Sequence, residues 1–289
     1  MAGEPGTGAA VLRRFSRRSR AEQVRKFPDA ILRAGGDAAS WPALDGVTGI
    51  FFTSRTGSTA LVREAERAFT LGHAGESLNA GKLQRLAQRH GFADLREALA
   101  WLIAESAPAG WFLFKAGSPG LLNAARIGFL DRYAALIRPV FLMRRDVLGQ
   151  ALSIVAAEHT RRFHSTQTMQ RDWLPEHYDY HAIRRQIRAI TDTNARIAAS
   201  LPCFRHPPQV LFYEDFRDGD FSLPLRILSG TGLPHRPRLL PDTGGVEKAT
   251  HPLTAAFRAR FLKDASWRGR RLLDRHARFV DRWQARRDG

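Results

Sequence analysis

Cysteine is nearly missing from this 289-residue chain: Cys203 stands alone. A lone thiol excludes an internal disulfide and any thiolate metal cage, and it fits a reducing compartment. Lysine is scarce too. Lys26, Lys82, Lys115, Lys248 and Lys263 are the whole set, so 40 of the 45 basic residues are arginine. Acids are outnumbered, 28 Asp and Glu against those 45, which leaves a formal charge of +17. That surplus suits an anionic partner (nucleic acid, a membrane face or an acidic small molecule) without choosing among them. No apolar run approaches transmembrane length, and no apolar signal core opens the chain: Met1 to Ala10 is small and Gly-rich, and Leu12 to Phe27 is strongly basic. These features imply a cytoplasmic protein. No His, Cys or carboxylate cluster has metal-ligand spacing, so no metal is expected.

What is present reads as one α/β domain. Residues 1–45 form a basic arm, partly disordered or helical and mostly solvated, with Val11, Leu12, Phe15, Val24 and Phe27 as a thin apolar stripe. Residues 46–250 alternate short apolar runs with helix-compatible stretches. Val47 to Thr53, Trp111 to Lys115, Pro139 to Met143 and Gln209 to Tyr213 read as strands. Strands alternating with helices imply a mainly parallel sheet flanked by helices on both faces. Gly81 to Ala107 and Trp173 to Ser200 look like helical insertions that roof the acceptor side, and 251–289 is a basic helical extension packed on the same domain.

The densest chemistry follows the first strand, at Thr53-Ser54-Arg55-Thr56-Gly57-Ser58-Thr59. A strand that stops at a small, hydroxyl-rich turn before a helix aims free N–H groups and a positive helix end at one point, which is an anion site. Gly57 lets the backbone approach an oxyanion; Ser54, Thr56, Ser58 and Thr59 add hydroxyls; Arg55 adds a forked cation. An ordinary strand-to-helix turn is the plainer reading of the same residues. The nucleoside-triphosphate pattern G-x-x-x-x-G-K-[ST] fails here, because Ser58 stands where it needs Lys and Phe52 where it needs Gly.

A second strand end repeats the arrangement. Met143 leads into Arg144-Arg145-Asp146, with Asp146 a plausible N-cap, and Ser153 lies two helical turns further on. The Arg55-to-Thr59 turn resembles the 5′-phosphosulfate loop of sulfotransferases that use 3′-phosphoadenosine 5′-phosphosulfate (PAPS). The eight-residue step from Arg145 to Ser153 is similar to the pair that binds the 3′-phosphate in those enzymes. Arg144-Arg145-Asp146, Gln150-Ala151 and Ser153, with Gly72-His73-Ala74-Gly75-Glu76 and Val210 to Phe216, resemble more narrowly the bacterial trehalose sulfotransferase family. The match runs from about Val47 to Leu233. Thr56 departs from the usual Ser, and Ser77-Leu78 replaces the usual aromatic pair, which leaves the acceptor open.

The resemblance implies a P-loop-like sulfotransferase fold, PAPS as co-substrate, and transfer to a hydroxyl of a carbohydrate or glycolipid. Ser54, Arg55, Thr56, Gly57, Ser58, Thr59, Arg145 and Ser153 would hold the donor, with Lys248 closing the 3′-phosphate site from a late loop. Glu76, placed by the resemblance, would take the acceptor proton, its pKa raised by desolvation; His73, three residues away, competes for that role. Lys115 would touch the transferring group or acceptor. Trp101, Trp111, Trp173 and Tyr178 are candidates for stacking on sugar faces. Tyr213-Glu214-Asp215 has a structural look, with Glu214 pairing an Arg. The implied partners are the glycan acceptor, a peripheral contact at the inner membrane surface and a second copy of the chain, with no specific nucleic acid. Two other readings stand beside this one: a nucleotide kinase of P-loop type and a basic, non-enzymatic nucleic-acid binder.

Overall fold

The computed structural model describes residues 7–15, 17–27, 41–72, 75–162, 167–237 and 251–289. Its centre is a four-stranded sheet in the order β2-β1-β3-β4, formed by β1 (Gly46–Phe52), β2 (Trp111–Ala116), β3 (Ile137–Met143) and β4 (Gln209–Phe212). All three pairings are parallel. The four runs expected as strands therefore form one parallel sheet, with their carboxyl ends along one edge.

Side chains alternate across the sheet because the strand period is two. Val47, Phe51, Phe112, Phe114, Ile137, Phe141, Val210 and Phe212 enter one apolar cluster; Ile50, Phe52, Leu113, Val140, Leu142 and Leu211 enter the other. The second cluster is closed by Leu61, Val62 and Ala65 of α3 (Ser58–Ala68) and by Leu228. The first is covered by α4 (Ala80–His90), α5 (Leu95–Ser106), α6 (Ser118–Ile127) and α7 (Phe129–Tyr133). Burying one such aromatic or aliphatic side chain contributes roughly 1.5–3 kcal/mol, so these two clusters hold the sheet.

Beside the sheet, α8 (Val147–Thr160), α9 (Tyr180–Ser200) and α11 (Thr254–Asp264) share a third cluster around Trp173, Phe257 and Phe261. Two further helices follow the sheet: the short α10 (Ser222–Gly230) after β4, and the 22-residue α12 (Trp267–Asp288) at the end. The helix expected from Leu121 to Ile137 is broken at Gly128, whose φ of 90° caps α6 and starts α7. The described part of the arm is mostly helical, one of the two forms expected for it. Helix α1 (Thr7–Arg13) is docked: Val11 and Phe15 lie in the first cluster, and Asp131 accepts the Gly8 N–H at 2.8 Å. Helix α2 (Arg17–Lys26) leaves Val24 exposed, while Phe27 packs partly on the core and its carbonyl accepts from Arg126. Val11, Leu12 and Phe15 of the apolar stripe thus pack on the core rather than facing solvent.

Candidate functional site

The strand-to-helix turn after β1 is built for close approach. Gly57 (φ 74°) and Arg55 (φ 65°) both adopt the left-handed conformation, which turns the chain sharply before α3. No side chain caps α3 at Gly57. Its first N–H groups therefore point into the site with the positive end of the helix behind them. Within the turn, Thr56 Oγ1 donates to the Thr53 carbonyl at 2.9 Å and is itself buried. Thr56 thus shapes the loop from inside. A Cβ on Gly57 would fall 2.8 Å from Tyr213 and 2.9 Å from Phe216, so these rings wall the turn on one side.

Gln150 pins the loop from the other side. Its Nε2 donates to Thr53 Oγ1 at 2.9 Å and to the Ser54 carbonyl at 2.7 Å, and the residue is fully buried. One turn later on α8, Ser153 Oγ accepts from Arg55 Nε at 2.8 Å. Burial, followed by the charge of Arg144, pushes the Arg55 guanidinium below its ordinary value, while Tyr213 opposes the shift and Arg162 adds to it. A buried cation near further arginines is stabilised by an anion.

Lys115, at the carboxyl end of β2, reaches the same helix start. Its ammonium donates to Thr59 Oγ1 at 2.9 Å, lies 3.5 Å from Ser58 Oγ and stands 5.4 Å from the centre of the Phe52 ring. Burial pushes its pKa down, against the attraction of Glu76. Glu76 is placed by the sheet edge: Gly75 pairs with Phe114, and its carbonyl accepts the Lys115 N–H at 2.9 Å. The Glu76 carboxylate then lies 3.6 Å from Lys115 Nζ with its side chain 38% exposed. The Glu76 side chain is therefore partly exposed rather than desolvated as the sequence led us to expect. Ser77 and Leu78, by contrast, are buried, and Leu78 belongs to the core. Their departure from the aromatic pattern alters packing on α6 rather than an exposed lining.

Arg145, expected to share the 3′-phosphate with Ser153, is engaged by other partners. It does not meet Ser153, whose hydroxyl holds Arg55. Its guanidinium lies 3.2 Å from Asp215, donates to Gln284 Oε1 at 2.8 Å and sits 4.0 Å above the Phe212 ring. Asp215 also pairs with Arg287. The carboxylates after β4 and the last turns of α12 draw Arg145 away from the loop. Arg144 is the arginine that stays beside it, 4.7 Å over the Tyr213 ring. The turn itself is firmly held. Glu214 accepts the N–H groups of Arg145 and Asp146, His276 of α12 donates from Nε2 to the Arg144 carbonyl at 2.9 Å, and Asp146 caps α8 through the Gly149 N–H at 3.0 Å. Burial would raise the Asp146 pKa, but that N–H and the Arg258 guanidinium outweigh it and hold the carboxyl below its ordinary value.

Scanned against protein-family models and curated proteins, the chain matches none.

The structure thus brings Ser54, Arg55, Thr56, Gly57, Ser58, Thr59, Lys115, Glu76 and Ser153 to one end of the sheet and directs Arg145 elsewhere. His73 and Lys248 lie outside the described residues. The aromatic residues put forward for sugar stacking are engaged. Trp101 packs on His90 and Phe92, Trp173 is buried against His251 and Phe257, and Tyr178 lies between Phe257 and Arg260. Trp111 stacks with Arg138 at the opposite end of the sheet, where β2 begins. A groove of about 380 Å³ bordered by Glu158, His159, Trp173 and His177 opens elsewhere; on α8 its lining residues lie on the side away from Ser153. Gln150, Arg144 and Phe216 are the site residues that sequence reading left without a role, and Tyr213, read as structural, walls the turn. Gln150 stood within the matched run, and its burial next to the loop was the missing fact. Among the described residues, no group of His, Cys, Asp and Glu is arranged to hold a metal ion.

Proposed function

We propose that the chain is a sulfotransferase of P-loop-like fold that moves the sulfuryl group of PAPS to a hydroxyl of a carbohydrate or glycolipid. The observation that carries the reading is the meeting of Arg55, Lys115 and the uncapped start of α3 at one point, with Glu76 3.6 Å from Lys115. An anion seated there is met by backbone N–H groups, hydroxyls and two cations, and the Glu76 carboxylate lies beside one of those cations. The missing Lys after Gly57 argues against triphosphate chemistry.

In this reading the 5′-phosphate of the donor sits on the N–H groups of Gly57 to Thr59 and on Arg55. The acceptor oxygen forms a bond to sulfur as the bond from sulfur to the 5′-phosphate oxygen breaks. The leaving phosphate gains negative charge, which these donors stabilise. The acceptor proton passes to Glu76, and Lys115 offsets charge on the transferring group. In the same reading the 3′-phosphate is held by Ser153 and Arg144, and Arg145 joins them only by leaving Asp215.

Calorimetry with 3′-phosphoadenosine 5′-phosphate and with ADP tests the donor. The first ligand should bind more tightly, and losing a charge-assisted contact to its 3′-phosphate should remove roughly 1.5–3 kcal/mol. Arg144→Ala should erase that preference more fully than Arg145→Ala. Equal affinity of the wild-type protein for the two nucleotides would remove the donor assignment.

A further inference from the structure

Helix α12 has an outward face that the site does not use. Its buried side chains, His276, Val280 and Trp283, fix the inward direction. On the outer side Arg268, Arg271, Arg275, Arg278, Arg282 and Arg286 follow one another at steps of three or four residues, and all are exposed. At 100° per residue they fall within an arc of about 80° and make a row about 27 Å long. The acids of this helix, Asp274, Asp281 and Asp288, lie outside that arc. Among the described residues Arg275 alone of the six meets a carboxylate, Asp192 at 3.2 Å.

Aromatic rings hold part of the row in place. Arg268 and Arg271 lie 5.5 and 6.0 Å from the centre of the Trp267 ring, Arg282 lies 5.9 Å from Phe279 and Arg286 4.8 Å from Trp283. Trp267 is itself 64% exposed, and Leu262, at the end of α11, is 45% exposed. Around the corner between α11 and α12 an indole and a leucine are therefore exposed to solvent, the indole against the first arginines.

We propose that this face of α12 docks the protein on an anionic lipid surface, with the arginines against headgroup phosphates and Trp267 and Leu262 at the interface. Charge complementarity selects a polyanion, since arginines without carboxylate partners gain most from one. Shape and the apolar corner select lipid over nucleic acid. A straight row fits a plane, whereas the phosphates of a duplex curve away from it. An exposed leucine and an exposed indole have no partner on a phosphodiester backbone but have one at the boundary of headgroups and acyl chains. The buried face of the same helix holds the Arg144–Asp146 turn, so docking would keep the sheet's carboxyl edge close to the lipid surface. The inference does not depend on sulfuryl transfer.

Co-sedimentation of the full chain with phosphatidylcholine vesicles, with and without phosphatidylglycerol, tests it. Binding should require the anionic lipid. Replacing Arg271, Arg278 and Arg282 together by Gln should weaken it about 100-fold, or about fivefold for each arginine. A control lowers the net charge equally at exposed arginines elsewhere, by Arg85→Gln, Arg89→Gln and Arg185→Gln. It should lose less than about fivefold, because distant surface charges are screened. Thermal melts of both variants should match the wild type. In the unmutated protein, Trp fluorescence should shift to the blue on anionic vesicles, and Trp267→Phe should abolish the shift. Equal binding to both vesicle types, or equal losses in the two triple variants, would overturn the proposal. A loss confined to duplex DNA at matched salt, with vesicle binding unchanged, would give this face to nucleic acid instead.

Discussion

Glu76 and Arg55 carry the sharpest residue-scale expectations. Glu76→Gln keeps the size of the side chain and removes its basicity. If the carboxylate accepts the proton of the acceptor, kcat should fall by about 10²–10⁴ while calorimetric affinity for 3′-phosphoadenosine 5′-phosphate stays the same. Retained turnover would move the proton to another group. Arg55 combines a functional side chain with a backbone that suits glycine, since its φ is 65°. Holding a side-chain residue there costs about 1 kcal/mol, a strain often stored at binding sites. Arg55→Gly should therefore be more stable than Arg55→Ala by roughly 1 kcal/mol in urea denaturation, while both lose donor affinity. Equal stability of the two variants would show that the turn stores no such strain.

Among the elements, α12 works as a clamp on the β3-to-α8 turn. His276 is the contact that titrates. A carbonyl oxygen only accepts, so Nε2 carries the proton that goes to the Arg144 carbonyl, and neutral imidazole leaves Nδ1 bare. Nδ1 is buried with no hydrogen-bond partner. Burial pushes the His276 pKa below its ordinary value of 6.5, although the Arg144 carbonyl, Glu214 and Asp146 pull the other way. With the folded value depressed, the unfolded chain binds the proton first as the solution is acidified. The contribution is therefore fully present above about pH 6.5 and declines as pH falls from there toward the depressed folded value. Denaturation at neutral and mildly acidic pH should show this slope, and His276→Gln, which can still donate to the carbonyl, should flatten it. A slope unchanged in the variant would assign the pH dependence to other groups, His251 among them.

At the scale of the whole molecule, local pattern determined a large part of the outcome. Four β-prone runs, each bounded by turn residues and followed by a helical period, led to a parallel sheet whose carboxyl edge gathers Arg55, Lys115 and the start of α3. These features are local, because strand alternation, a glycine at positive φ and an Asp N-cap each depend on a few neighbouring residues. Partner choice among long side chains is not local. Arg144 and Arg145 are adjacent and chemically identical, yet one stays by the loop and the other pairs with Asp215, because Asp215 and Gln284 arrive from 70 and 139 residues away. The family resemblance gave Arg145 and Ser153 a shared phosphate; in the structure the Ser153 hydroxyl accepts from Arg55, and Arg145 is held by Asp215 and Gln284. Gln150 acquired its role only when α8 packed against the loop. The aromatic residues named from the sequence for sugar stacking are engaged by neighbouring side chains, Trp173 fully buried among them. The amino-acid sequence by itself determined the sheet, the turn and the excess of cations. Which cation faces the turn, and which face of α12 remains open, were decided only when distant elements met.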